Sequence, residues 1–299
     1  MFPFIPDFVP DILQITPIVL VFCYVFAPAI RKYPIPFYAF FTIAVAIVSW
    51  FNPIIGIMGE SAPDIARAAE SWYTTLSAFS PGMRAIFDVL TSSHTGVAFY
   101  LVVMFIGALE PTPTVKRLLA IRTEMSIIGG IIIFAHCVRV IELVFLAGDP
   151  AFQQVWGEKG ALFMFLAYGV VGSVLTVIWF VLWITSFRVI RRTFRPGEWK
   201  KLQRLAYPFM ALTVAQGILI ALAHLLIGYP FQGEQFIMAI MLQPTAWLST
   251  FAENVATATF YLSVGIAYLV LRLNKNNADK RKRARSAMRQ IRTKGMSEG

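Results

Sequence analysis

Seven long apolar runs constrain this chain more than any other feature. They cover approximately residues 12–30, 36–57, 94–110, 124–147, 161–187, 205–228 and 251–272. A helix rises about 1.5 Å per residue, so about 20 residues cross the ~30 Å hydrocarbon core of a bilayer. Only 14% of the residues are charged, whereas soluble domains average about a quarter. The sequence therefore predicts an all-α fold, a polytopic membrane bundle of about seven transmembrane helices.

The links between the runs alternate in charge, and this alternation predicts orientation. Basic residues follow the first, third, fifth and last runs, at Arg31 and Lys32, at 116–122, at 188–204 and in the tail sequence KRKRAR. The other links are mainly acidic, as at Glu60 and Asp64. Because Lys and Arg collect on the cytoplasmic side, we expect the N-terminus outside and the C-terminus in the cytoplasm.

The same pattern divides the chain into four parts. We expect two N-terminal transmembrane helices in 1–58, an outer link with amphipathic helices in 59–93, a core in 94–272 and a basic cytoplasmic tail in 273–299. That tail is expected to be disordered or a frayed helix against anionic lipid. Proline and glycine interrupt the apolar segment 228–249, and whether it re-enters the membrane is open. The first residues lack a basic region and a cleavage site, so we do not expect a signal peptide.

Several functional classes are disfavoured. Cys23 and Cys137 both lie inside apolar runs, which argues against a disulfide framework or a zinc site. The net charge of +10 belongs to residues that flank apolar helices, so lipid explains it and no nucleic-acid partner is expected. No glycine-rich nucleotide loop or CxxCH motif occurs. Any electrons would therefore come from quinol or from another protein.

His136 is the most informative single residue. It follows Glu124 by 12 residues, which places it about 18 Å into the bilayer. An ionisable group at that depth usually faces a partner or a cofactor. Two interpretations are open: an axial ligand of a haem iron, or a histidine hydrogen-bonded between helices. The preceding Gly129 and Gly130 predict close helix packing, and Arg139 is expected to pair with Glu142, three residues on.

Depth along the helices predicts which polar groups can meet. The fourth and sixth runs both start inside, and Gln216 lies at the same level as His136. His224 is expected about 10 Å further out, where His94 lies at a similar level and the two could share an outer site. Gln216 either faces His136 across a haem or donates a hydrogen bond to it. Beyond these, Glu253 and Asn254 open the last run as interfacial residues or as a quinone or proton site.

Three stretches, taken in order, resemble the ferric reductase-like transmembrane family. They are Thr95-Gly96 with Leu109-Glu110-Pro111, then Arg122-Thr-Glu-Met-Ser with His136, then Ile184-Thr185-Ser186 with Trp199-x-x-Leu202-Gln203-Arg204. Within that family the chain is most similar to the haem-binding membrane subunit of the bacterial periplasmic methionine sulfoxide reductase system. The resemblance covers about residues 90 to 275 and implies six family helices plus one N-terminal helix.

The resemblance implies a b-type haem and electron transfer across the membrane. His136 matches a family histidine and would be the iron ligand, while Gln203 and Gln216 stand where the family has two further histidines. Gln216 would then complete the cofactor site, or His224, His94 or a partner protein would supply a substitute ligand. The implied protein is an oxidoreductase subunit of a bacterial inner membrane that takes electrons from quinol or a partner and passes them to an extracytoplasmic redox protein. The alternative is a haem-free relative that serves as a membrane anchor or assembly partner.

Overall fold

A computed structural model describes residues 9–51, 55, 58, 61–146, 162–227 and 244–297, and no strand occurs among them. The all-α prediction is confirmed for these residues. The helices are α1 Asp11–Lys32, α2 Pro34–Val45, α3 Asp64–Phe79, α4 Pro81–Thr91, α5 Ser93–Ala108, α6 Pro113–Leu119, α7 Arg122–Leu146, α8 Ser173–Ile184, α9 Arg188–Arg191, α10 Pro196–Leu202, α11 Ala206–Ile227 and α12 Pro244–Ser297. A π-helical segment, Phe165–Gly172, leads into α8, and another, Ala46–Trp50, extends α2.

Several of these helices are suited to a membrane. Among the described residues, four helical stretches are long and apolar enough to cross a bilayer: Asp11–Lys32, Leu162–Ile184, Gly197–Leu225 and Leu248–Ser286. Helices α4 and α5 pass the same test as a pair with a bend of 51°, which fits a broken span or a re-entrant loop. An integral membrane protein is therefore supported, with four or five candidate spans among the described residues. The number seven stays a prediction, because the second run forms only a shorter apolar helix, Pro34–Ser49, and the fourth run, α7, is not among these candidate spans.

The bend between α4 and α5 has a local cause. Ser92 adopts an extended conformation, and its side chain accepts a hydrogen bond from the Thr95 backbone N–H, as an N-cap does. A new helix, α5, therefore begins at Ser93, and α4 does not continue through it.

Helices α3 and α4 lie in the predicted outer link and leave large apolar side chains exposed, among them Ile65, Phe79 and Ile86.

Helix α5 forms the centre of the bundle. It packs against α1 on one side and α7 on another, and α2 also packs against α7. Phe99 of α5 is almost fully buried, and its ring stands edge-on to the rings of Phe22 and Phe41. A helix that is apolar all round is buried rather than half exposed, and α5 fits that rule. Helices α11 and α12 pack together as a second pair.

Glycines let α7 approach its neighbours closely. A Cβ atom at Gly129 would lie 2.8 Å from Phe99 Cβ in α5, and one at Gly130 would lie 1.9 Å from Trp183 Cδ1 in α8. Neither distance is compatible with a side chain. The close packing predicted for this glycine pair is therefore confirmed, and it fixes the helix that carries His136.

One end of the bundle, where α7 begins and α8 ends, is rich in cations; we call it the basic end. There Arg188 Nη2 lies 3.4 Å from Oε1 of the buried Glu124. Arg272 Nη1 and Lys275 Nζ of α12 donate to the Gly107 carbonyl at 3.1 and 2.7 Å. Cations at the C-terminus of α5 satisfy its last carbonyls and favour its dipole.

The basic tail continues α12 as a helix as far as Ser297. Of the two states expected for the tail, the described residues therefore show a helix and not disorder. Two other expectations fall outside what the structure describes. The structure does not describe the side chains of Arg139 and Glu142, so their pairing lies outside the described residues. Residues 228–243, most of the segment for which re-entry was open, also lie outside them.

Candidate cofactor site

A cavity of about 390 Å³ lies between α5, α7, α11, α12 and the π-helical segment Phe165–Gly172. Its wall includes His94, His136 and His224, which are the three histidines of the whole sequence. We call it the three-histidine cavity. Cofactor sites in proteins typically occupy about 300–1,000 Å³, so this volume is of the right order. The sequence places these residues in three separate apolar runs, and the fold brings them to one space.

Aromatic side chains form the wall of the cavity nearest the basic end. Trp179 of α8 is 3% exposed, and its Nε1–H donates to the Tyr100 hydroxyl across 2.8 Å. That hydroxyl in turn donates to the Ser126 carbonyl at 3.1 Å. Because both buried polar groups have partners, the wall is stable in low dielectric. Tyr100 also packs edge-on against Phe209 of α11.

His224 is held in a defined tautomer by Asn254 of α12. Asn254 Nδ2 donates to the Thr250 carbonyl at 3.0 Å, so its Oδ1 is the atom that faces His224 Nδ1, at 3.3 Å. An amide oxygen can only accept, and therefore Nδ1 carries the proton. The lone pair of the imidazole then lies on Nε2. Metal-binding histidines are commonly oriented in this way, through a hydrogen bond from the other ring nitrogen.

Gln216 lines the same cavity but its amide is engaged. Its Nε2 donates to the Ala167 carbonyl across 3.3 Å. Ala167 belongs to the π-helical segment, whose wider turns displace carbonyls from the regular α-helical ladder and so leave acceptors for side chains. The hydrogen bond considered from the sequence, from Gln216 to His136, is thus made to Ala167 instead. The adjacent Gly217 gives room to the Tyr261 ring, which lies 2.4 Å from where a Cβ would be.

His136 and Gln216 share the cavity, as their common depth predicts. His94 and His224, expected at an outer level, line that cavity as well, so the two levels are joined in one space. His224 still follows Gln216 by eight residues of α11, or about 12 Å. The cavity therefore extends along the helices. At its far end His94 Nδ1 lies 4.0 Å from an Asp11 carboxylate oxygen of α1.

Some of the wall was not predicted. Tyr100, Trp179 and Tyr261 line the cavity, yet in the sequence they are aromatic residues within continuous apolar runs. Gln203, where the family that the sequence resembles has a histidine, does not line this cavity. It lines a second cavity of about 80 Å³ at the basic end, together with Arg122.

Comparison with known proteins gives limited similarity. A segment of 149 residues is 32% identical to a protein of Treponema pallidum (strain Nichols) that bears the name Uncharacterized protein. The match covers 50% of this chain and 39% of that relative, so the chain spans about two fifths of the relative's length. No family model matches the chain, and no solved structure does.

Proposed function

We propose that the protein is a membrane electron-transfer subunit of the ferric reductase-like type, with a b-type haem in the three-histidine cavity. The observation that carries this proposal is the convergence of His94, His136 and His224 on one cavity in a largely apolar bundle. Ionisable side chains within a membrane bundle typically mark functional sites. Haem in membrane bundles is held by this side chain, from facing helices.

The donor set suits a haem better than a single metal ion. Among the described residues, no three His, Cys, Asp or Glu side chains are grouped so as to hold a metal ion. A haem iron needs only one or two protein ligands. His136 would hold the haem iron. Gln216 shares the level of His136, but its amide already donates to the Ala167 carbonyl, and His224 lies about 12 Å further along α11. The iron would therefore have one strong protein ligand.

Aromatic and polar side chains in the rest of the lining would also contribute to such a site. Trp179 stacks on Trp183 with ring centroids 5.3 Å apart and an interplanar angle of 11°, so α8 presents a flat aromatic wall that excludes water. The described lining contains no Lys or Arg. It includes the carboxylate Glu253, so haem carboxylates would find hydroxyl groups such as that of Thr257 in the described lining, and no cation. A bound haem would supply a one-electron redox couple.

The donor in this proposal is quinol or a partner protein, and the acceptor is a redox protein outside the cytoplasm. Quinol is soluble in lipid and would reach the protein from a bilayer, which several helices are apolar enough to span. One observation favours the alternative, a haem-free anchor or assembly partner. Gln203 and Gln216 occupy family histidine positions, and Gln216 already has a protein acceptor.

A reduction experiment distinguishes these functions. The protein is expressed with haem supplied, purified, and reduced either with dithionite or with a water-soluble quinol. We expect the bands of reduced haem in the visible spectrum with both reductants. Bands with dithionite alone would refute quinol as the donor. The lack of bands with either reductant would refute electron transfer and favour the anchor.

A further inference from the structure

The smaller cavity at the basic end has a lining suited to an anion. It has a volume of about 80 Å³ and is lined by Arg122, Arg191, Gln203, Ser126 and Ser186 among others. We call it the Arg122 pocket. The lining contains two guanidinium groups, hydroxyls and a primary amide, and none of its described residues is Asp or Glu. The pocket is therefore rich in donors and poor in acceptors.

Two of these donors lack an acceptor within the part of the chain that the structure describes. Gln203 Nε2 is buried and has no hydrogen-bond partner there. Arg122 has neither a hydrogen bond nor an ion pair with a described residue, although Glu124 two positions away pairs with Arg188. The Arg122 guanidinium instead packs over Gly107, 3.4 Å from where a Cβ would lie. A buried donor such as Gln203 Nε2 is costly unless something accepts from it.

Arg191 completes the pocket with an oriented guanidinium. Its Cζ lies 4.1 Å from the centre of the Trp199 ring, and Trp199 is itself fixed by a hydrogen bond from Nε1 to the Thr185 carbonyl at 3.4 Å. Stacking on an aromatic face keeps the N–H edge of the guanidinium available for a ligand. Arg272 lies near enough to Arg122 to interact with it electrostatically, which adds positive potential to the site.

We propose that the Arg122 pocket binds a phosphate group, either the head group of an anionic phospholipid or a soluble phosphoryl compound. Guanidinium groups bind phosphate oxygens with paired hydrogen bonds, and Gln203 Nε2 gains its missing acceptor. A cavity of about 80 Å³ has room for one small oxyanion but not for a ring system. Basic pockets between helices on the cytoplasmic side recognise lipid phosphates by this chemistry. The binding does not depend on a haem in the three-histidine cavity.

The first test measures the melting temperature of the purified protein in potassium phosphate and in potassium chloride at equal ionic strength. A ligand that binds only the folded state stabilises it, so phosphate should raise the melting temperature of the unaltered protein by several degrees. The variant Gln203→Glu places a carboxylate beside Arg122. It should melt higher than the unaltered protein in chloride and gain nothing from phosphate.

Matched variants separate the pocket from a general effect of phosphate, which strengthens burial in any protein. Arg191→Gln should lose at least half of the shift, whereas Arg192→Gln, an exposed neighbour outside the lining, should keep it. If Gln203→Glu does not fold, the comparison of these two arginine variants decides. The proposal is overturned if phosphate raises the melting temperature of both arginine variants equally. It is also overturned if neither phosphate nor an anionic phospholipid raises the melting temperature of the unaltered protein.

Nanodiscs distinguish the two sources. Stabilisation by phosphatidylglycerol over phosphatidylcholine, lost in Arg191→Gln, identifies a lipid head group. Stabilisation by inorganic phosphate in phosphatidylcholine discs, lost in the same variant, identifies a soluble phosphoryl compound. Both results support the pocket. Equal stability of the unaltered protein in phosphatidylglycerol discs, in phosphatidylcholine discs and in phosphatidylcholine discs with phosphate contradicts it.

Discussion

The contact between α7 and α8 at Gly130 gives a sharp prediction for the variant Gly130→Ala. The new Cβ would lie 1.9 Å from Trp183 Cδ1 and 2.1 Å from Nε1, so the indole ring must move. Moving the Trp183 ring would break the contacts that hold it. Its Nε1 donates to the Ile127 carbonyl at 3.2 Å, and its ring stacks on Trp179 and meets Phe187 edge-on at 5.5 Å.

The size of the effect follows from these contacts. Overpacking a core typically costs about 1–3 kcal/mol, a lost hydrogen bond about 0.5–1.5 kcal/mol and a lost aromatic pair a similar amount. The better helix propensity of alanine returns up to about 1 kcal/mol. With the middle of each range, the net destabilisation of Gly130→Ala is about 3 kcal/mol. Because 1 kcal/mol corresponds to about 2–4 °C in domains of 150–250 residues, the melting temperature should fall by roughly 5–15 °C.

The assay is thermal unfolding of the purified protein in detergent, followed by tryptophan fluorescence. Two glycines provide matched controls, because a Cβ at Gly82 or Gly197 would meet nothing within 4 Å. Gly82→Ala and Gly197→Ala should melt at the same temperature as the unaltered protein or slightly above it. A Gly130→Ala variant that melts with these controls would refute the packing described here.

Three further predictions concern other parts of the molecule. Gln216→His adds an imidazole to the three-histidine cavity and should shift the visible spectrum of bound haem towards the low-spin form. Arg188→Gln leaves the buried Glu124 unpaired and should cost about 1–2 kcal/mol, more than Glu124→Gln, in the same unfolding assay. Burial and the Asp88 carboxylate raise the pKa of Tyr73 to about 12. Since the unfolded pKa is about 10, the stability from this group is complete below pH ~10 and lost as the pH rises through about 12. Melting curves of Tyr73→Phe should lack that loss.

Part of the fold and of the site follows from the sequence because it depends on length, composition or the lack of a side chain. The apolar runs predict an all-helical membrane protein. The pair Gly129 and Gly130 predicts close packing, since nothing but backbone occupies those positions. The helical rise alone predicts a common level for His136 and Gln216, and both side chains line the three-histidine cavity. These inferences do not require knowledge of how a helix is rotated about its axis.

The features that depend on rotation were not predictable in the same way. Helix α5 is apolar on every side, so its sequence does not reveal that Tyr100 points towards Trp179. The π-helical segment Phe165–Gly172 has no distinguishing residues in a continuous apolar run, yet it supplies the acceptor for Gln216. Likewise, the tautomer of His224 depends on Asn254 of another helix. Such pairings arise from tertiary packing and become visible only in the assembled bundle.

The most direct test of the proposed haem site is the haem content of the purified protein, measured beside its reduced-minus-oxidised spectrum. The unaltered protein should carry stoichiometric haem when haem is supplied during expression. His136→Ala should lose it, whereas Cys137→Ala, a change at the next position of the same cavity wall, should retain it. Haem that is absent from the unaltered protein, or present in His136→Ala at the same content and with the same spectrum, would contradict His136 as the ligand.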